Sequence, residues 1–109
     1  MPRKAVRTTD REHAIEEIRQ LITPVLRKHD VRKAAVFGSV AKGSAEIDSD
    51  VDLLVEFEDG KKKTLLDLVQ LETDVAAELR CRVDIVTYGG LHPVLRKRVL
   101  REQVIILGH

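Results

Sequence analysis

Residues 50–57, Asp-Val-Asp-Leu-Leu-Val-Glu-Phe, restrict the fold of this chain more than any other stretch. Val51, Leu53, Val55 and Phe57 alternate with Asp50, Asp52, Leu54 and Glu56. That period of two belongs to a strand, and it places both acids on one face with their Cα atoms about 6.5–7 Å apart. Two like charges on an otherwise apolar strand repel each other and lose hydration, so a fold carries them best where a cation neutralises both. The donors are hard carboxylate oxygens, which suit magnesium, an ion held by one or two carboxylates together with substrate phosphates and water. Zinc would call for His and Cys ligands that this stretch lacks. Taken alone, the pair fits equally well an Asp50 that caps a turn and an Asp52 at a solvated sheet end.

Upstream, the apolar run Ala34-Ala35-Val36-Phe37 meets Gly38 and Ser39, followed by Val40-Ala41-Lys42 and Gly43. This order predicts a strand running into the N-terminus of a brief helix, whose unpaired N–H groups and positive dipole end favour an anion such as a phosphate. Gly38 lets the backbone approach closely and Ser39 adds a hydroxyl to the cradle. Gly-Ser by itself also describes an ordinary turn with an N-cap.

With 109 residues, 43% of them hydrophobic, the chain is expected to form one domain over 1–109 with a real core and no room for a separate acceptor-binding domain. Its 19 basic and 18 acidic side chains leave a formal charge of +1, and aromatic residues make up 3%. Neither a global field nor stacking surfaces point to nucleic acid, so no nucleic-acid partner is expected. No segment reads as a membrane span or signal peptide. The single Cys81 cannot close an internal disulfide and suits a reducing cytoplasm.

Residues 1–8 read as a basic, flexible tail. Thr9 stands three residues before Glu12, a capping-box spacing, and Ala14, Ile15, Ile18, Leu21, Ile22, Val25 and Leu26 recur at helical intervals, with Pro24 expected to kink or interrupt the helix. After a polar loop containing Lys61-Lys62-Lys63, Thr64 and Asp67 repeat the capping spacing ahead of a second amphipathic helix ending near Arg80. Residues 82–86 form a short strand with Asp84 in its middle, a costly place for an acid unless it reaches water or a cation. Tyr88-Gly89-Gly90 marks a turn, Pro93 opens a third helix with a basic polar side, and Val104–Leu107 closes the chain as a strand. The histidines have no metal-ligand spacing.

The combined pattern G-S-x-A-K-G-x-A-x-x-x-S-D-x-D-L-L-V resembles the minimal nucleotidyltransferases, the small stand-alone members of the polymerase-beta-like superfamily. Gly38, Ser39, Ala41, Gly43, Ala45, Ser49, Asp50, Asp52, Leu53 and Leu54 fall at the family spacing. Lys42 departs from it, standing where the family usually has Arg and lacking that residue's bidentate fork. The resemblance implies an α+β fold of polymerase-beta-like type, a mixed sheet packed by amphipathic helices. It also implies a third carboxylate on a strand after the second helix, which here is Asp84.

Three carboxylates facing a phosphate cradle are expected to hold two Mg2+ ions, with Mn2+ able to substitute, at Asp50, Asp52 and Asp84. Gly38 and Ser39 would grip the β- and γ-phosphates of a nucleoside triphosphate, with Lys42 and Ser49 as further nucleotide-binding candidates. The resemblance implies an antitoxin of the HEPN/MNT type that transfers AMP from ATP to a tyrosine of a helical HEPN ribonuclease toxin within a hetero-oligomer. Two other functions share the features: a non-catalytic antitoxin that covers its partner, and a small-molecule nucleotidyltransferase of the antibiotic-modifying sort, which carries an additional domain.

Overall fold

The alternation in residues 51–57 builds an inner strand of a four-stranded mixed sheet. In the computed structural model, which describes residues 10–38, 41 and 50–108, the elements run α1 (Arg11–Lys28), β1 (Val31–Phe37), β2 (Val51–Phe57), α2 (Leu65–Leu79), β3 (Val83–Thr87), a 3-10 turn (Tyr88–Gly90), α3 (Pro93–Glu102) and β4 (Val104–Leu107). The strand order is β3-β2-β1-β4. β1 pairs antiparallel with both β2 and β4, whereas β2 and β3 are parallel and joined through α2. This is the α+β architecture that the sequence pattern implied.

The two faces of the sheet are covered unequally. Val51, Leu53 and Val55 of β2 join Ala34 and Val36 of β1 and Val83 and Ile85 of β3 beneath α1 and α2. Ile18, Ile22 and Leu26 from α1 and Leu71, Val75 and Leu79 from α2 are fully buried there. Each such aliphatic side chain contributes roughly 1.5–3 kcal/mol by leaving water. The opposite face carries a smaller cluster of Ala35, Leu54 and Leu91, with Phe37, Val86, Tyr88, Val99 and Ile105 packed against it. α3 lies on that side and buries none of its residues completely. Asp52 and Leu54 have the same parity on β2, so the acids fall on the thinly covered face.

Local chemistry accounts for most boundaries. Thr64 caps α2, its hydroxyl accepting from Asp67 N–H while the Asp67 carboxylate accepts from Thr64 N–H, the expected capping box. α2 ends at Arg80, which adopts a left-handed conformation with φ 54°. Pro93 occupies the first turn of α3, and His92 caps it by accepting from Val94 N–H at 3.1 Å.

Two expectations need correction, the N-cap of α1 and the bounds of β3. The N-cap of α1 is Asp10, whose carboxylate accepts from His13 N–H at 3.1 Å, rather than Thr9, which lies outside the described residues, as does the tail 1–8. An acid is as good a cap as threonine and also meets the positive end of the helix dipole. Pro24 lies inside α1, which continues past it to Lys28, as the apolar stripe to Leu26 led one to expect. Pro24 and Gln20 are both exposed, so water can take the carbonyl that a proline leaves unpaired one turn back. β3 is Val83–Thr87, one residue later than expected at both ends.

Candidate active site

Parallel pairing of β2 with β3 sets Asp52 directly opposite Asp84, and antiparallel pairing with β1 sets Asp52 opposite Phe37, the residue before Gly38. Neighbouring strands lie about 4.8 Å apart, so one short row across three strands brings the end of the β1 turn, Asp52 and Asp84 together. Asp50 precedes β2 on the same side and is exposed, Asp84 is exposed, and Asp52 is half-buried between them.

Gly38 has φ +73°, a left-handed conformation that glycine adopts without penalty. A Cβ built on it would stand 2.4 Å from Oδ2 of Asp52. The turn after β1 therefore runs against the Asp52 carboxylate, which an added Cβ would displace. Ser39, Lys42 and Ser49 lie outside the described residues. So does the expected brief helix, apart from Ala41, which is helical and 4% exposed within the core.

Burial raises the Asp52 carboxyl above its ordinary value of 3.8, and the charges of Asp84 and Asp50 push it further in the same direction. A carboxylate disfavoured in this way by its neighbours is stabilised by a cation. Among the described residues no group of three His, Cys, Asp or Glu side chains is arranged to hold a metal ion unaided. The donor set fits magnesium, which needs only one or two protein carboxylates and takes its remaining ligands from substrate phosphates and water.

Sequence patterns did not reveal Arg11. From the first turn of α1 its Nε donates to the carbonyl of Ala41 at 2.6 Å, tying the helix to the segment that follows Gly38. The partners are 30 residues apart in sequence, and no local spacing encodes such a contact. The lysine loop is remote from the acids. Lys61 and Lys63 line a groove of about 400 Å³ with Phe57, Leu65, Leu68 and Thr87, at the far ends of β2 and β3. Lys63 is itself paired with Asp30 at 2.9 Å. No described helix is long and apolar enough to cross a membrane.

Comparison with known proteins places these features in context. The nucleotidyltransferase domain family matches residues 18–106. A protein of Methanocaldococcus jannaschii, provisionally named a protein adenylyltransferase, is 45% identical over 93 residues, covering 85% of this chain and 98% of its own length. The protein adenylyltransferase MntA of Thermococcus cleftensis is 40% identical over 96 residues, covering 84% and 95% respectively. Among solved structures, one provisionally described as a minimal nucleotidyltransferase superposes with a TM-score of 0.70 at 44% identity, covering 87% of this chain and 94% of that one. The same fold occurs at 20% identity and a TM-score of 0.67 in a complex of a tri-AMPylated HEPN toxin of Shewanella oneidensis with an MNT antitoxin, the match covering 87% of this chain and 73% of that one.

Proposed function

Because this chain belongs to the nucleotidyltransferase domain family and is a nucleotidyltransferase, we propose that it transfers AMP from ATP to a tyrosine hydroxyl of a HEPN-type toxin, and acts as that toxin's antitoxin. The observation that carries the reading is Asp52 in register with Asp84 on the neighbouring strand, with the Gly38 turn that follows β1 set against the Asp52 carboxylate. Relatives named as protein adenylyltransferases and the fold shared with a toxin-bound MNT antitoxin support a protein acceptor.

Asp50, Asp52 and Asp84 would hold Mg2+, which supplies Lewis-acid stabilisation of the attacking and leaving oxygens of a displacement at phosphorus. The Gly38 turn, with Ser39, would bind the β- and γ-phosphates through backbone N–H groups, and Lys42 and Ser49 would contribute further nucleotide contacts. The acceptor oxygen forms a bond to the α-phosphorus while the bond from that phosphorus to the bridging oxygen of the β-phosphate breaks. Pyrophosphate departs with the electron pair, and Asp84 takes or relays the hydroxyl proton. Asp52 and Asp84 in one row, with Asp50 two residues before Asp52, leave Asp84 on the edge strand, where an acceptor held by a partner protein can reach it. Such a complex is a hetero-oligomer of a cytoplasmic protein.

The test is incubation of the purified chain with magnesium, ATP labelled at the α-phosphate and the product of the adjacent gene, because the minimal nucleotidyltransferases that the chain resembles are often encoded beside a HEPN-type partner. Label on a tyrosine of that product is expected. Label that appears only from γ-labelled ATP would replace the reading with phosphoryl transfer.

A further inference from the structure

Val51 N–H donates to the carbonyl of Arg82 at 3.0 Å, so the β2–β3 ladder extends one residue before β3 begins. Arg82 is exposed, as is Asp84, while Val83 and Ile85 between and beyond them are 2% and 8% exposed. Side chains alternate along a strand, which puts Arg82 on the face of Asp84 and next to Asp50. The chain thus sets one guanidinium on the edge strand of the sheet, level with Asp50 and two residues before Asp84. No bond of the Arg82 side chain is found among the described residues, and the same holds for Arg27, Arg80 and Arg101; of these four Arg82 alone stands beside the carboxylates.

From this placement we infer that Arg82 is an acceptor-binding residue, taking an anionic group that lies beside the acceptor hydroxyl. The inference rests on the transferase reading above. In-line displacement puts the leaving and attacking oxygens on opposite sides of the phosphorus. The Gly38 turn at the end of β1 is the leaving-group side, so the attacking side is that of β3, and Arg82 stands at its start. A planar guanidinium with a fork of donors matches a carboxylate or phosphate bidentately. Two groups share that chemistry: an acidic side chain of the acceptor protein near its tyrosine, and the phosphodiester left there by an AMP already transferred.

Arg82→Gln, Arg82→Lys and the parent are compared at varied ATP and at varied acceptor, the acceptor being the product of the adjacent gene. Arg82→Gln is expected to raise KM for the acceptor about tenfold or more with KM for ATP at the parent value, and Arg82→Lys to fall between them. Intact mass separates the two sources. Loss of the first AMP addition assigns Arg82 to a protein carboxylate, and retention of the first with loss of later ones assigns it to the phosphodiester. A parent-like acceptor KM in Arg82→Gln overturns the inference, as does a rise confined to ATP, which would move Arg82 to the nucleotide side. Matched thermal melts exclude misfolding as the cause. If the parent itself modifies nothing, the transferase reading fails and takes this inference with it, an outcome distinct from a working parent with an indifferent Arg82.

Discussion

Gly38, in the turn after β1, lies so close to Asp52 on the neighbouring β2 that a single added methyl on Gly38 would stand 2.4 Å from the Asp52 Oδ2. The turn after β1 and the Asp52 carboxylate are therefore one structural unit. Gly38→Ala forces a left-handed conformation on alanine, at a cost of about 1–2 kcal/mol, and displaces the carboxylate. Activity should fall much further than stability, by about 100-fold, because an ångström of misplacement has that effect on a positioned group. Gly60→Ala is the matched control: φ is +80° and nothing lies within 4 Å of its added Cβ. It should show the same backbone strain in a thermal melt with transfer rate intact.

The same crowding makes Asp52 a site where function opposes stability. Its folded pKa is raised above 3.8, by burial first and then by Asp84 and Asp50. The folded state therefore binds the proton more tightly than the unfolded state. Ionisation of Asp52 destabilises the fold at neutral pH, and that penalty disappears as pH falls through the raised value towards 3.8. Without metal, Asp52→Asn should melt above the parent at pH 7 and lose the advantage on acidification. Adding Mg2+ and a non-hydrolysable ATP analogue should reverse the order, since ligand at 100 times Kd stabilises the parent by about 2.7 kcal/mol. An identical ligand response in Asp52→Asn would place the nucleotide site elsewhere.

Arg11 offers a test at a distance from the acids. Its Nε–H bond to the Ala41 carbonyl at 2.6 Å couples α1 to the segment after Gly38. A hydrogen bond from a charged donor contributes about 1.5–3 kcal/mol, less where water can replace it. Arg11→Ala should therefore raise KM for ATP by up to about tenfold while leaving the acceptor dependence unchanged. A drop in melting temperature with no change in KM would reduce Arg11 to a structural brace.

What the sequence made legible was local. The alternation over Val51–Phe57 identified β2 and the face of its acids, and Thr64 with Asp67 marked the start of α2, because each signal lies within a few residues. The parity that sends Leu53 under the helices and Asp52 to the thinly covered face was readable for the same reason. What escaped depends on pairing between distant segments. No spacing reveals that Asp52 faces Asp84 in register, that Arg11 reaches Ala41, or that His29 Nε2 meets Asp74 Oδ2 at 2.7 Å to join the end of α1 to α2. Asp10 won the helix cap from Thr9 because two adjacent residues are both good caps, and the choice between them lies in the backbone geometry at the entry to α1.

Asp84 separates transfer from simple covering of a partner. It is exposed on β3 between Val83 and Ile85, whose side chains point into the core. Asp84→Asn is nearly isosteric, so the fold and any partner-binding surface should persist while the proton-accepting and metal-binding roles proposed for Asp84 are lost. Co-purification with the partner should survive, and modification of the partner should fall by about 100-fold or more, the scale of a lost general base.

The most direct measurement is the intact mass of the adjacent gene's product after co-expression with this chain, with Asp52→Asn, or with Asp84→Asn. Transfer of AMP predicts a mass gain of one or more AMP units on a tyrosine with the parent chain, no gain with either variant, and toxicity that returns when the gain is lost. An unmodified partner that all three chains neutralise equally well would contradict the account and leave covering as the mechanism.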